Sequence, residues 1–137
     1  MGRFSVTVEL SNYNDLMKAA AGIIRKDQVR RISLPGVVDT GAARMVIPKS
    51  TSAELGLEET GKVRVRYADR RSALRPMVGG IHLEYSGREG IFDAIVETKR
   101  DTALIGAIVL ETLDFVVDPI NQKLVPRDPK YPLAEIE

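Results

Sequence analysis

Polar and apolar residues alternate strictly in Phe4-Ser5-Val6-Thr7-Val8-Glu9-Leu10, the period of a half-buried strand. Ser11-Asn12-Tyr13-Asn14 breaks the alternation. Asn14 or Asp15 then stands where a helix N-cap belongs, ahead of Leu16-Met17-Lys18-Ala19-Ala20-Ala21 and toward Ile24, although Gly22 interrupts that run. Gln28-Val29-Arg30-Arg31-Ile32-Ser33-Leu34 predicts a second strand, with Pro35-Gly36 as a bend before Val37-Val38. Met45-Val46-Ile47 is a short strand stopped by Pro48. Ser50 or Thr51 can cap a helical turn that ends at Leu55, with Gly56 just beyond it as helices prefer. Thr60-Gly61 predicts a turn.

Residues 62–67 alternate again, with Val63, Val65 and Tyr67 on one face and Lys62, Arg64 and Arg66 on the other. Residues 68–72 read as a hairpin tip. Two further strands, 77–85 and 91–97, are joined by the hairpin Ser86-Gly87-Arg88-Glu89-Gly90. A polar loop at 98–102 precedes Ala103-Leu104-Ile105-Gly106 and a helical-looking segment, 107–113. Leu124-Val125-Pro126 predicts an edge strand, and 128–137, with two prolines, a loose tail. Many short strands and few short helices make a mostly-β domain.

A chain of 137 residues is one domain by size, long enough to bury a core without metals or disulfides. With 44% hydrophobic and 28% charged residues it is of ordinary globular composition. The net charge of +1 gives no global field for nucleic acid or an anionic membrane, so neither is expected as a partner. Arginines cluster locally at 64, 66, 70, 71 and 75. There are no cysteines, which removes disulfides, thiol catalysis and zinc-thiolate sites. Met1-Gly2-Arg3-Phe4-Ser5-Val6 lacks the apolar core of a signal peptide, Val6 stands where a myristoylation signal wants Ser or Thr, and no apolar run has membrane-helix length. A cytoplasmic location is the expectation.

Most catalytic schemes lack their parts. The single histidine, His82, lies inside an alternating strand and cannot build a His-rich zinc site. No nucleophile elbow and no glycine-rich phosphate loop occur. Asp101-Thr102-Ala103 has neither an apolar approach nor a glycine, and reads as loop. One stretch stands apart: Gly36-Val37-Val38-Asp39-Thr40-Gly41-Ala42, then Ala43-Arg44-Met45-Val46-Ile47-Pro48. It delivers a carboxylate from an apolar strand into a tight turn, an expensive place to leave a charge.

Apolar-apolar-Asp-Thr-Gly-Ala resembles the active-site signature of aspartic proteases. Ala103-Leu104-Ile105-Gly106, followed by a short helix, resembles the second signature of their retropepsin-like branch. Val46-Ile47-Pro48 through Glu54-Leu55-Gly56-Leu57, and Leu113-Asp114-Phe115-Val116-Val117-Asp118-Pro119, are similar to small prokaryotic members. The resemblance covers roughly residues 4–126.

It implies a closed, barrel-like acid-protease fold with one or two short helices in a domain over 1–126, and a C-terminal tail over 127–137. It implies an aspartic endopeptidase with Asp39 as the catalytic residue, no metal and no cofactor. Thr40, Gly41, Ala42 and Gly106 would support the active site. A flap over the cleft would come from 63–77, with its tip near Asp69, Arg70 and Arg71. That tip is charged and Ala43-Arg44 are not acidic, both departures from the retroviral pattern. Amide hydrolysis by this chemistry needs two carboxylates sharing a proton. The chain carries one Asp-Thr-Gly, so the second must come from a second copy across a two-fold axis. The expected partners are therefore a second copy and a peptide or protein substrate. The alternative is a catalytically silent dimerisation or peptide-binding module on the same scaffold.

Overall fold

The computed structural model describes residues 3–137; Met1 and Gly2, which the signal-peptide and myristoylation readings include, lie outside the described residues. The elements are β1 (Phe4–Asn12), α1 (Tyr13–Ala20), a 3-10 turn (Lys26–Gln28), β2 (Arg31–Val38), β3 (Met45–Pro48), α2 (Lys49–Leu55), β4 (Glu59–Arg66), β5 (Ser72–Tyr85), β6 (Arg88–Glu97), β7 (Ala103–Ile105), α3 (Ala107–Leu113), β8 (Phe115–Asp118) and β9 (Lys123–Pro126).

Six of these strands close into a barrel in the order β1-β2-β7-β3-β6-β5, with β5 returning to β1 through pairs such as Leu10 with Leu83. Closure removes the exposed edges that an open sheet would carry. The alternation read from the sequence is the inside–outside alternation of the barrel: Phe92, Ala94 and Val96 of β6 and Ile81 and Leu83 of β5 point into the core, where Leu10, Ile47, Ile105 and Leu113 are also fully enclosed. Each such Leu or Ile contributes roughly 1.5–3 kcal/mol through burial. No helix among the described residues is long and apolar enough to cross a membrane.

Two features of the topology position the site. First, β2 and β7 run parallel with Val38 opposite Ile105, so the residues that follow, Asp39 and Gly106, leave the barrel side by side. Second, among the described residues β4 pairs only with β5, and the β4–β5 hairpin extends beyond the barrel with its turn at 67–71.

Several local expectations are corrected. Asn12, not Asn14 or Asp15, caps α1: its Oδ1 accepts the Asp15 N–H at 3.0 Å. The alternating strand therefore runs two residues further than its polar ending suggests. Pro35-Gly36 is not a bend but mid-strand, paired with Thr7 and Val6. Gly36 is required because a Cβ there would lie 2.8 Å from Ile105 Cγ1, so the glycine serves close packing and not a turn. Residues 28–30 are not strand, since the 3-10 turn occupies 26–28. Thr60-Gly61 is not a turn but a bulge in β4. The α2 helix starts at Lys49 with no side-chain cap, so neither Ser50 nor Thr51 plays that part, while Gly56 ends it in the left-handed conformation as read. Among the described residues three α-helices form where the resemblance implies one or two.

Residues 127–137 form no helix or strand, yet they are held to the domain. Arg127 pairs with Asp114, the Leu133 N–H donates to Asp114 Oδ2 at 2.8 Å, and Arg88 donates to the Asp128 carbonyl.

Candidate active site

The Asp39 turn is built by backbone bonds to the neighbouring strand. The Asp39 N–H donates to the Ile105 carbonyl at 3.0 Å, continuing the β2–β7 ladder by one residue. The Ala42 N–H donates back to the Asp39 carbonyl at 3.2 Å and closes the turn. The carbonyls of Ala42 and Ala43 then accept the N–H groups of Ala107 and Ile108, at 2.8 and 2.9 Å, which are the first residues of α3. These two N–H groups would otherwise be unsatisfied at a helix start.

Gly106 lies between the two segments. A Cβ there would meet the Arg44 and Ala42 carbonyl oxygens at 2.6 and 2.7 Å and the Ala43 carbonyl carbon at 2.9 Å. These are backbone atoms, so only glycine lets α3 seat against the turn. Gly106 and Ala42 thus meet around Asp39, and Gly41 contributes the N–H that holds the carboxylate, donating to Asp39 Oδ1 at 2.9 Å. Thr40 is exposed on the surface of the turn.

The Asp39 side chain is 19% exposed and borders an open cleft of about 270 Å³ with Phe4, Val38 and Val117. Its second oxygen, Oδ2, faces Arg3 Nη2 at 3.2 Å; Arg3 itself is 66% exposed. Sequence reading gave Arg3 no part here. Its only signal was proximity in register, since Phe4 pairs with Val38 across β1–β2.

Asp69, Arg70 and Arg71 do form the tip of the β4–β5 hairpin, away from the Asp39 turn in sequence and in the sheet. The Tyr67 N–H donates to the Arg71 carbonyl at 2.8 Å, and Arg70 takes a left-handed conformation with φ of 71° that a glycine would adopt more readily. Asp69 steadies the turn by accepting the Arg71 N–H at 3.0 Å and its Nε at 2.6 Å. The Gly79-Gly80 pair forms a bulge inside β5, with Gly80 at φ of 69°, and is not part of the tip.

Just behind the hairpin's turn the Tyr67 hydroxyl donates to Glu97 Oε2 at 2.5 Å and Arg75 Nε donates to Glu97 Oε1 at 2.5 Å. The Glu97 carboxylate holds the Tyr67 hydroxyl proton and raises its pKa above the ordinary value, and it raises that of Arg75 likewise. Arg100, in the loop read only as polar, donates to the Thr102 carbonyl at 2.7 Å.

No protein-family model matches the chain, and no curated protein matches it in sequence. Solved structures do. The EIAV protease complexed with the inhibitor HBY-793 superposes over 90% of this chain and 93% of its own, at 15% identity and a TM-score of 0.52. The fold is retropepsin-like. A retropepsin-like aspartic protease from Rickettsia conorii aligns at 16% identity over 85% of this chain and 86% of its own, with a TM-score of 0.47. The retroviral protease-like domain of Ddi1 from Leishmania major aligns at 16% identity over 76% and 86%, with a TM-score of 0.48. Within the retropepsin-like fold of this chain, one carboxylate, that of Asp39, stands at the turn after β2.

Proposed function

We propose that the chain is an aspartic endopeptidase that works as a homodimer, with Asp39 and the partner's Asp39 activating a water against a peptide bond. The observation that carries this is the state of the Asp39 carboxylate. It is fixed on one oxygen by the Gly41 N–H, its other oxygen meets, among the described residues, only the exposed Arg3 guanidinium, and the residue borders an open cleft. One such group can take a proton from water but cannot at the same time donate one to the amide. Two of them about 3 Å apart cannot both ionise, so the pair keeps a proton and can do both. A two-fold axis beside the turn brings the second group without any further sequence. Thr40, which is exposed, would hydrogen-bond across that axis. The β4–β5 hairpin is the flap, its tip at Asp69, Arg70 and Arg71. No metal or cofactor takes part.

A specific observation favours a second reading, a catalytically silent dimerisation or peptide-binding module. Arg3 Nη2 pairs with Asp39 Oδ2 at 3.2 Å and so engages the one carboxylate that the chemistry needs. For catalysis Arg3 must withdraw on dimerisation, which its exposure and single contact allow.

The test is a peptide-library digest by the wild-type chain beside Asp39→Asn. Cleavage by the first and none by the second supports the endopeptidase. Cleavage that persists in a clean Asp39→Asn preparation moves the chemistry elsewhere. A dimer that cleaves nothing, with or without Arg3→Ala, selects the silent module.

A further inference from the structure

Between the β4–β5 hairpin and the loop after β6 lies a cleft of about 320 Å³. Tyr67, Arg71 and Arg75 line it from the hairpin, and Glu97, Lys99 and Arg100 from the other wall. Four of these side chains are cationic and one is anionic. The anion is already engaged, since Glu97 uses one oxygen for Tyr67 and the other for Arg75. Arg71 has Asp69 as partner at 2.6 Å, but both are exposed at the hairpin tip, where water screens the pair.

The remaining two cations have no such partner. Among the described residues, neither Lys99 nor Arg100 forms an ion pair. Arg100 donates only to neutral oxygens, the Thr102 carbonyl at 2.7 Å and, more weakly, the Thr102 hydroxyl and Ala103 carbonyl at 3.4 Å each. Burial, and then the charge of Arg3, pull its guanidinium below its ordinary pKa, only partly offset by Glu97, Asp101 and Asp39. A half-buried guanidinium bonded to neutral oxygens alone is a site short of negative charge.

The Asp39 carboxylate is among the charges that act on Arg100, so this wall lies within electrostatic reach of the candidate reacting centre. Arg100 is three residues ahead of Ala103, where β7 begins beside Gly36 on the strand that delivers Asp39. On the proteolytic reading, a peptide held under the hairpin at Asp39 would lie beside this wall.

We propose that this cleft selects peptides carrying a Glu or Asp side chain close to the bond at Asp39, with the carboxylate seated against Arg100 and Lys99 and with Arg71 at the rim. The proposal rests on the proteolytic reading for where the peptide lies, but it concerns binding and can be tested without turnover. The cleft is walled on two sides and the chain's net charge is +1. That suits one carboxylate better than the extended backbone of a nucleic acid, which calls for a long basic stripe.

The experiment uses wild-type chain and fluorescent peptides whose central amide is reduced, so that they bind without being cut. A single Glu, Gln or Lys is moved along one neutral peptide frame, and affinity is read by anisotropy at physiological salt. At one position Glu should bind about tenfold more tightly than Gln, and Lys more weakly than Gln. The doubly substituted Lys99→Glu, Arg71→Glu chain, altered only at exposed positions, should lose the Glu preference at that position and favour Lys. Should that variant fold poorly, the Glu–Gln–Lys series on wild type decides alone.

Parallel digests of the cleavable peptides separate the two readings. Charge-selective binding with no cleavage keeps the acidic-peptide cleft and removes the protease. Cleavage or binding indifferent to Glu, Gln and Lys overturns the cleft and leaves Asp39 standing. The absence of binding by any peptide, or displacement by a short oligonucleotide as effective as by the acidic peptide, also overturns it.

Discussion

Asp15 and Asp39 stand in similar places and have opposite fates. Each comes just after a strand of the same antiparallel pair, β1 and β2, and each is approached by an arginine. Asp15 is 4% exposed and uses both oxygens within its own chain. Oδ2 accepts the Arg30 N–H at 3.0 Å and Arg30 Nε at 2.8 Å, and Oδ1 accepts Nη2 at 3.0 Å. These hydrogen bonds, the Arg30 side chain foremost, lower its pKa to about 2 against the burial that would raise it. Asp39 has one N–H at 2.9 Å and one well-exposed guanidinium at 3.2 Å. A carboxylate whose acceptor sites are filled from within ties the fold together. One held by a single N–H and a solvent-screened guanidinium beside an open cleft can exchange that partner and act on something else. Position after an apolar strand does not separate the two; the count of partners does.

The largest expected effect breaks the comparison most cleanly. Asp39→Asn should lower peptide cleavage by about 10²–10⁴-fold or more, the range for loss of a general acid–base group, with unfolding free energy changed by less than about 0.5 kcal/mol. Asp15→Asn should leave the chemistry intact and cost about 2 kcal/mol in chemical denaturation, because it removes a charged partner from a bidentate pair. Equal loss of activity in both variants, tracking loss of fold, would erase the distinction drawn between the two aspartates.

Much of this was legible in the chain. Period-two alternation marked most of the strands, and the Asp-Thr-Gly and Leu-Ile-Gly stretches marked the two segments that the parallel β2–β7 pair brings together. What sequence could not show depended on contacts made at long range. Gly36 reads as a bend because glycine and proline punctuate turns, whereas its cause is the side chain of Ile105 pressing on β2. Asn12 reads as part of the break after the first strand, yet it ends β1 and caps α1 while its amide reaches the Leu55 carbonyl at 2.8 Å. Arg3 and Arg100 carry no local pattern at all. Strand register places Arg3 on Asp39, and a loop places Arg100 in the cleft beside the β4–β5 hairpin.

Subunit mixing sharpens the claim that Asp39 has an open side because a partner completes it. If wild-type and Asp39→Asn chains exchange freely, equal amounts should give about a quarter wild-type dimers, and mixed dimers should be nearly dead. Adding mutant to a fixed amount of wild type should therefore lower total activity, and dilution below the dimer dissociation constant should do the same. Undiminished activity after demonstrated exchange would mean that each chain holds a whole site.

A smaller effect is expected from Gly106→Ala. The added Cβ would press on the carbonyls of Ala42 and Arg44, so the turn must shift or α3 must lift from it. Overpacking of this kind costs about 1–3 kcal/mol. Because the displaced backbone carries Asp39, cleavage should fall by more than the stability loss explains. Wild-type activity per folded molecule in Gly106→Ala would show that the turn tolerates movement.

The smallest effect concerns acid, and it belongs to Asp15. Its folded pKa, lowered to about 2, lies below the ordinary value of 3.8, so the folded chain holds this carboxylate ionised where the unfolded chain has begun to protonate it. The stabilisation is therefore complete above the ordinary carboxylate value and is lost as pH falls through about 2. The Arg30 side chain is 49% exposed, and discounting the pair for solvent screening leaves about 1 kcal/mol. Asp114, Asp118 and Asp128 are also held below their ordinary values by backbone and side-chain hydrogen bonds, so wild-type acid unfolding alone sums over several groups. The difference between wild type and Asp15→Asn isolates one of them. Measured by urea unfolding from about pH 5 down to about pH 2, that difference should be constant at first and then shrink by about 1 kcal/mol as the wild-type pair is neutralised. A gap that stays constant across the whole range would mean that Asp15 stabilises the corner by shape and neutral hydrogen bonding, and the contrast with Asp39 would then not be one of ionised carboxylates.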